Sequence, residues 1–163
     1  MIVISDTTPV ISLIKMRRLE ILKDLFGEVQ IPEAVYKELT SNKIFEDEAE
    51  QVVSCDFIKY VALSDMHSVD LLRRSTNLDA GESEAIVLAD SISDSILLVD
   101  EEKGRKVAKN MGLNIMGTIG VLLAAYEENL LDSDDIDGCI NLIRNSQLRI
   151  SEKLIDLLYK RTH

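Results

Sequence analysis

Short apolar runs alternate along the chain with longer stretches in which apolar residues recur every three or four positions. The first pattern predicts buried strands and the second predicts helices with one covered face. The opening stretch VISDTTPVISLI contains both. An apolar run stops at Ser5, Asp6 follows, and a helical pattern begins after two threonines. Thr8 is placed to cap that helix and Pro9 to take its first position, where the missing N–H costs nothing. Leu19, Ile21, Leu22 and Leu25 suggest a second short helix ending at Gly27, and Val29 and Ile31 a brief strand. Pro32 opens a helix carrying Ala34, Val35 and Leu39, with Glu38 among them. Residues 42–52 are charged and read as surface helix. FIKYVAL, 57–63, reads as strand, and Ser64 as the cap of a helix from about Asp65 to Arg74.

LDAGESEAIVLADSI, 78–92, has the pattern of an amphipathic helix, opened by Asp79 and Glu82 at capping-box spacing. ILLVD, 96–100, reads as a buried strand ending in an acid, and the basic segment EKGRKVAKNM as the helix after it. LNIM, 113–116, suggests another strand. Gly117 and Thr118 then lead into IGVLLAAY, apolar nearly all round and therefore expected to be buried. Ser133 or Asp134 can cap a helix carrying Ile136, Cys139, Ile140 and Ile143. Ser151 can cap a last one, with Leu154, Leu157 and Leu158 on one face. Strands separated by helices imply an α/β fold with a central parallel sheet in three layers.

Composition narrows the chemistry. The 163 residues suit one domain, 46% of them hydrophobic and 29% charged, as in ordinary globular proteins. No window approaches the roughly 20 apolar residues of a membrane span. Cys55 and Cys139 lack metal-ligand spacing and read as reduced core thiols of a cytoplasmic protein. With only His67 and His163 besides, any bound metal must be held by oxygen, which points to Mg2+ or Mn2+ rather than zinc. A net charge of −11 argues against a passive nucleic-acid binder, but not against an enzyme that meets phosphates through cations.

Four acids stand where solvation explains least. Asp6 and Asp100 end apolar strands, and parallel strands bring such ends to one sheet edge. Glu38 lies within an apolar helix pattern. Glu84 sits in the first turns of another, where an anion is favoured. Gathered carboxylates repel one another unless a cation joins them, and a cation held in this way can activate water against a phosphodiester. Glu82 either returns a capping bond or joins the site. Glu101 and Glu102 either extend it or merely open a helix. Thr7 and Thr118 can orient water or phosphate, or serve as turn residues. Lys103, Arg105, Lys106 and Lys109 form the one dense basic patch, either an RNA-backbone contact or an exposed helix face. With seven aromatic residues and no Trp, base stacking as a means of sequence reading is unsupported.

In order, VISDTTPVISL, IPEAVYKEL, LDAGESEAIVLA, ILLVDEEKGRKVA and the Gly-Thr-Ile-Gly segment resemble the PIN domain. More narrowly they resemble the prokaryotic DUF3368 group, whose relatives include VapC-type ribonuclease toxins. The likeness runs over residues 1 to about 130, leaving 131–163 as additional C-terminal helices on one PIN-like domain. It implies a three-layer α/β/α fold and an acidic Mg2+ or Mn2+ site. The family acids fall on Asp6, Glu38, Glu84 and Asp100, the last position alternating with Glu101 or Glu102. The toxins carry Asp at the third position, where this chain has Glu84 with Glu82 nearby. The implied function is a metal-dependent endoribonuclease, the toxin of a toxin–antitoxin pair, with an RNA substrate, a small antitoxin partner and a homodimeric state. The rival is a non-catalytic PIN-like module that binds RNA or protein. A receiver-like phosphotransfer domain ranks lower, because no predicted strand ends in the Lys it would need.

Overall fold

The computed structural model describes residues 1–163. Its five strands, β1 (Ile2–Ser5), β2 (Val29–Pro32), β3 (Ile58–Val61), β4 (Ser95–Leu98) and β5 (Ile115–Met116), form one sheet in the order β3-β2-β1-β4-β5. Every neighbouring pair is parallel. The chain steps outward from β1 through β2 to β3, then returns to the other side of β1 with β4 and continues to β5. The order therefore reverses between β1 and β4, and a crevice opens at their carboxyl ends, the usual ligand position in open α/β sheets.

Ten helices cover the sheet: α1 (Thr7–Lys15), α2 (Ile21–Phe26), α3 (Glu33–Ser41), α4 (Glu46–Ser54), α5 (Met66–Thr76), α6 (Ala80–Asp90), α7 (Glu102–Asn110), α8 (Thr118–Glu127), α9 (Ser133–Arg144) and α10 (Glu152–Thr162). Side chains alternate across β1 and β4, so each strand feeds two cores. Val3 and Leu98 enter the larger core with α1, α2, α8, α9 and α10. Ile4, Leu97 and Val99 enter the smaller one with Ala85, Ile86 and Ala89 of α6 and Ala108 of α7. The expected three layers are present. No helix is long and apolar enough to cross a membrane.

Several helix starts differ from the sequence reading. Asp6, not Thr8, is the N-cap of α1, so Pro9 is its third residue, still among the N–H groups that lack helical partners. Asp65 replaces Ser64 as the cap of α5, and Asp132, in a capping box with Asp135, replaces Ser133 or Asp134 at α9. Each start holds consecutive cap-forming residues; at α1 and α9 the cap is the residue that stays extended, and at α5 and α9 it is the one whose carboxylate accepts a first-turn N–H. Helix α6 is not amphipathic but almost wholly buried, because α3 and α5 cover the side away from the sheet. The leucine face of α10 is divided: Leu158 is fully buried, whereas Leu154 and Leu157 are 44% and 43% exposed. The last two helices join the main core through Ile136, Ile143, Ile155 and Leu158.

Candidate active site

Asp6 follows β1, and its backbone N–H donates to the Leu98 carbonyl at 3.0 Å, extending the β1–β4 ladder by one step. Ser5 pairs with Leu98 in register, so Asp6 and Asp100 leave adjacent strands at nearly the same height. Asp100 lies two residues past the end of β4 rather than on it. A cleft of about 460 Å³ opens there, with acids Asp6, Glu38, Asp79, Asp100 and Glu101 in its lining. Phe45 from the turn before α4 and Leu148 from the segment after α9 form part of its rim.

The acids differ in how they are held. Asp6 is 6% exposed. Burial is the main cause that pushes its carboxyl from 3.8 to about 7, reinforced by Asp79, Glu38 and Glu101 and opposed by the Thr7 N–H. Glu38 enters from α3, where its Oε2 accepts from Thr7 Oγ1 at 2.8 Å. Partial burial raises its pKa, and that hydrogen bond works against the rise. Gly81 explains how closely α6 can approach: a Cβ there would lie 3.3 Å from Glu38 Oε2 and 3.6 Å from Asp6 Oδ1. Asp100 is bound to the start of α8, accepting from the Thr118 N–H at 2.7 Å and from the Thr118 hydroxyl.

The two acids of α6 turn opposite ways, as residues two apart on a helix must, being about 200° apart. Glu82 completes the capping box with Asp79 and leaves Oε1 buried without a partner. Burial is the main cause that pushes Glu82 to about 8, and the neighbouring acids Glu101, Asp79 and Asp6 add to the rise. Like Glu82, Glu84 does not line the cleft. Its Oε1 accepts from the Ala34 N–H at 3.2 Å, at the start of α3. Pro32, the N-cap there, supplies no side-chain cap, and Glu84 substitutes from a neighbouring helix.

Asp79 was missed as a site residue in the sequence. It was legible only as a helix cap, and the position of that cap beside Asp6 and Glu38 is a tertiary fact. The basic residues also separate. Lys103 donates to the Asn77 carbonyl at 3.2 Å, and Arg105 to the Val99 carbonyl at 2.9 Å. Lys106 and Lys109 are exposed and, together with Arg149, line a second concavity beside the cleft. Glu102 is exposed at the first turn of α7.

The donor set suits a hard divalent cation. It consists of carboxylate oxygens, one of them buried and orphaned on Glu82 and one belonging to a carboxyl that burial holds near neutrality. As placed, no three His, Cys, Asp or Glu side chains stand close enough together to grip one ion. An incoming cation would have to draw them inward.

A three-layer parallel α/β fold with an acid-lined cleft at its switch point defines the class. The chain belongs to the PIN domain family, matching the family model DUF3368, described as a PIN domain, over residues 2–163. Proteins of that family are generally nucleases that use divalent metal ions. No curated protein and no solved structure matches the chain at a significant level.

Proposed function

We propose that this protein is a metal-dependent endoribonuclease and that the cleft between β1 and β4 is its active site. The observation that supports this reading best is the convergence of Asp6, Glu38, Asp79, Asp100 and Glu101 on one cleft, with a buried carboxylate at its floor. Asp6, Glu38, Glu82 and Asp100 are the residues to hold Mg2+ or Mn2+, with Asp79 and Glu101 at the margin. When bound, such a cation offsets the repulsion among the carboxylates and stabilises the charge that builds on a phosphodiester under attack. Thr7 fixes Glu38 and Thr118 fixes Asp100, so both carboxylates face the cleft before substrate arrives. Asp6, whose carboxyl burial pushes up to about 7 in the absence of a cation, would be drawn into its charged form by one. Glu84 acts on this site indirectly, by holding the start of the helix that carries Glu38.

The finer reading is the toxin half of a toxin–antitoxin pair, acting as a homodimer and silenced by a small protein that covers the cleft. It rests on the family likeness. Purified protein with Mn2+ should cut single-stranded RNA into internal fragments, and Asp6→Asn should abolish cutting while leaving the circular dichroism spectrum unchanged. Undiminished cleavage by the variant would remove Asp6 from the site. Expression of the wild type, but not of Asp6→Asn, should arrest bacterial growth.

A second reading, a PIN-like module that binds without cutting, draws on one observation: no three carboxylates are yet within reach of a common ion. Calorimetric titration with Mn2+ distinguishes the two, because the nuclease binds the ion in the cleft and loses it on Asp6→Asn.

A further inference from the structure

The cleft has basic as well as acidic lining, and its two basic residues are not equivalent. Lys15 is committed elsewhere, its Nζ standing 3.0 Å from Glu48. The other is Arg149, on the irregular segment between α9 and α10. It is exposed and makes no ion pair with any acid of the chain. It also lines three adjoining concavities: the acid cleft, an apolar groove of about 370 Å³ floored by α8, and a hollow where Arg105, Lys106 and Lys109 face Asp100, Glu101 and Glu102. The segment around it is held down by Leu148 and Ile150, which pack against the main core. Arg105 is near but has an Nη1 donor engaged by the Val99 carbonyl. A guanidinium free of ion pairs on an anchored backbone, where the acid cleft meets the hollow of Lys106 and Lys109, can offer its planar fork of donors to an anion.

We propose that Arg149 is a substrate-binding residue that clamps a backbone phosphate at the rim of the acid cleft, the strand continuing past Lys106 and Lys109 of α7. The nuclease reading supplies the identity of this ligand, and the inference rests on it to that extent. In a chain of net charge −11, a strand approaching the cleft meets repulsion from at least five lining acids. One positive charge at the rim fixes where the strand can enter. The C-terminal segment thereby contributes to substrate binding as well as to the core.

The test is fluorescence anisotropy of a labelled single-stranded RNA dodecamer, titrated with full-length protein carrying Asp6→Asn so that nothing is cut, from low to moderate KCl. Adding Arg149→Ala should weaken binding about tenfold at low salt and reduce the slope of log affinity against log salt by about 0.7, the loss of one phosphate contact. Arg149→Lys should restore the slope but only part of the affinity. Arg161→Ala, which removes a charge paired with Glu127 at the far end of α10, should change neither. Unchanged affinity and slope for Arg149→Ala, an equal loss for Arg161→Ala, or no RNA binding by the parent protein would each overturn the proposal. Cleavage by the wild type is scored separately. Cutting without dependence on Arg149 removes only the clamp, whereas Arg149-dependent binding without cutting removes only the nuclease reading.

Discussion

Asp6 carries a charge that its surroundings oppose. Burial moves its carboxyl from 3.8 to about 7, so the folded protein holds that proton more tightly than the unfolded chain does. The resulting stability is fully present below about pH 4 and is lost as pH rises through about 7. Glu82, at about 8, and Glu38 act in the same direction. Glu33 and Asp65 are shifted downward by hydrogen bonds to Lys37 and Ser68, so their effects lie below this window. Metal-free protein should therefore melt at a lower temperature at pH 8 than at pH 5, with Asp6 contributing at most about 3 kcal/mol of that difference. Asp6→Asn should flatten much of that slope and raise the melting temperature at pH 8. Saturating Mn2+ should restore the wild type at pH 8 but not the variant. A melting temperature independent of pH in metal-free protein would contradict the buried, cation-seeking carboxylate. The sequence marked Asp6 because surface solvation does not account for an acid placed directly after a buried apolar strand. It could not mark Asp79, whose neighbours Asp6 and Glu38 arrive from β1 and α3.

Helix α6 shows what an element settles that a residue cannot. Glu82 and Glu84 are both buried, both early in the helix and both candidate ligands from the sequence. Their rotation of about 200° sends one towards Asp6 and the other to the start of α3. Two substitutions should separate them. Glu82→Gln should weaken Mn2+ binding about tenfold or more by calorimetry and stabilise the metal-free protein at pH 8, where the fold otherwise has to hold that carboxyl partly charged. Glu84→Gln should leave Mn2+ affinity within about threefold and cost roughly 1 kcal/mol in urea unfolding, the scale of a helix-cap interaction. The opposite pattern would restore Glu84 as the ligand. Existence and type of most elements were legible from periodicity, including the buried α8; residues 42–52 read as helix from their charge alone, and they divide into a short turn at Lys43–Phe45 and α4. Their first residues were not, because runs such as Asp6-Thr7-Thr8 and Asp132-Ser133-Asp134 offer several chemically equivalent caps.

Across the whole molecule, the return of the chain to the far side of β1 makes the site, because it places the ends of β1 and β4 side by side. The C-terminal helices are tied to the same core through Leu158. Leu158→Ala should cost about 2–5 kcal/mol in urea unfolding. Leu154→Ala, on the exposed part of the same face, should stay within about 0.5 kcal/mol. Equal effects would mean that the leucine face is covered as one surface. The helical period placed Leu154, Leu157 and Leu158 together, and only the packing of α10 on α8 and α9 decided which of them is core.

The residue pattern alone carried the alternation of strand and helix, the parallel sheet, and Asp6 and Asp100 as acids just beyond two of its strands. These follow from local periodicity and from the rule that parallel strands share an edge. The packing of the folded chain sets which way each acid of α6 turns, brings Asp79 beside Asp6 and Glu38, and puts Arg149 at the rim of the cleft. Each of those depends on the rotation of a helix or the path of a segment against distant neighbours, which short-range patterns do not encode.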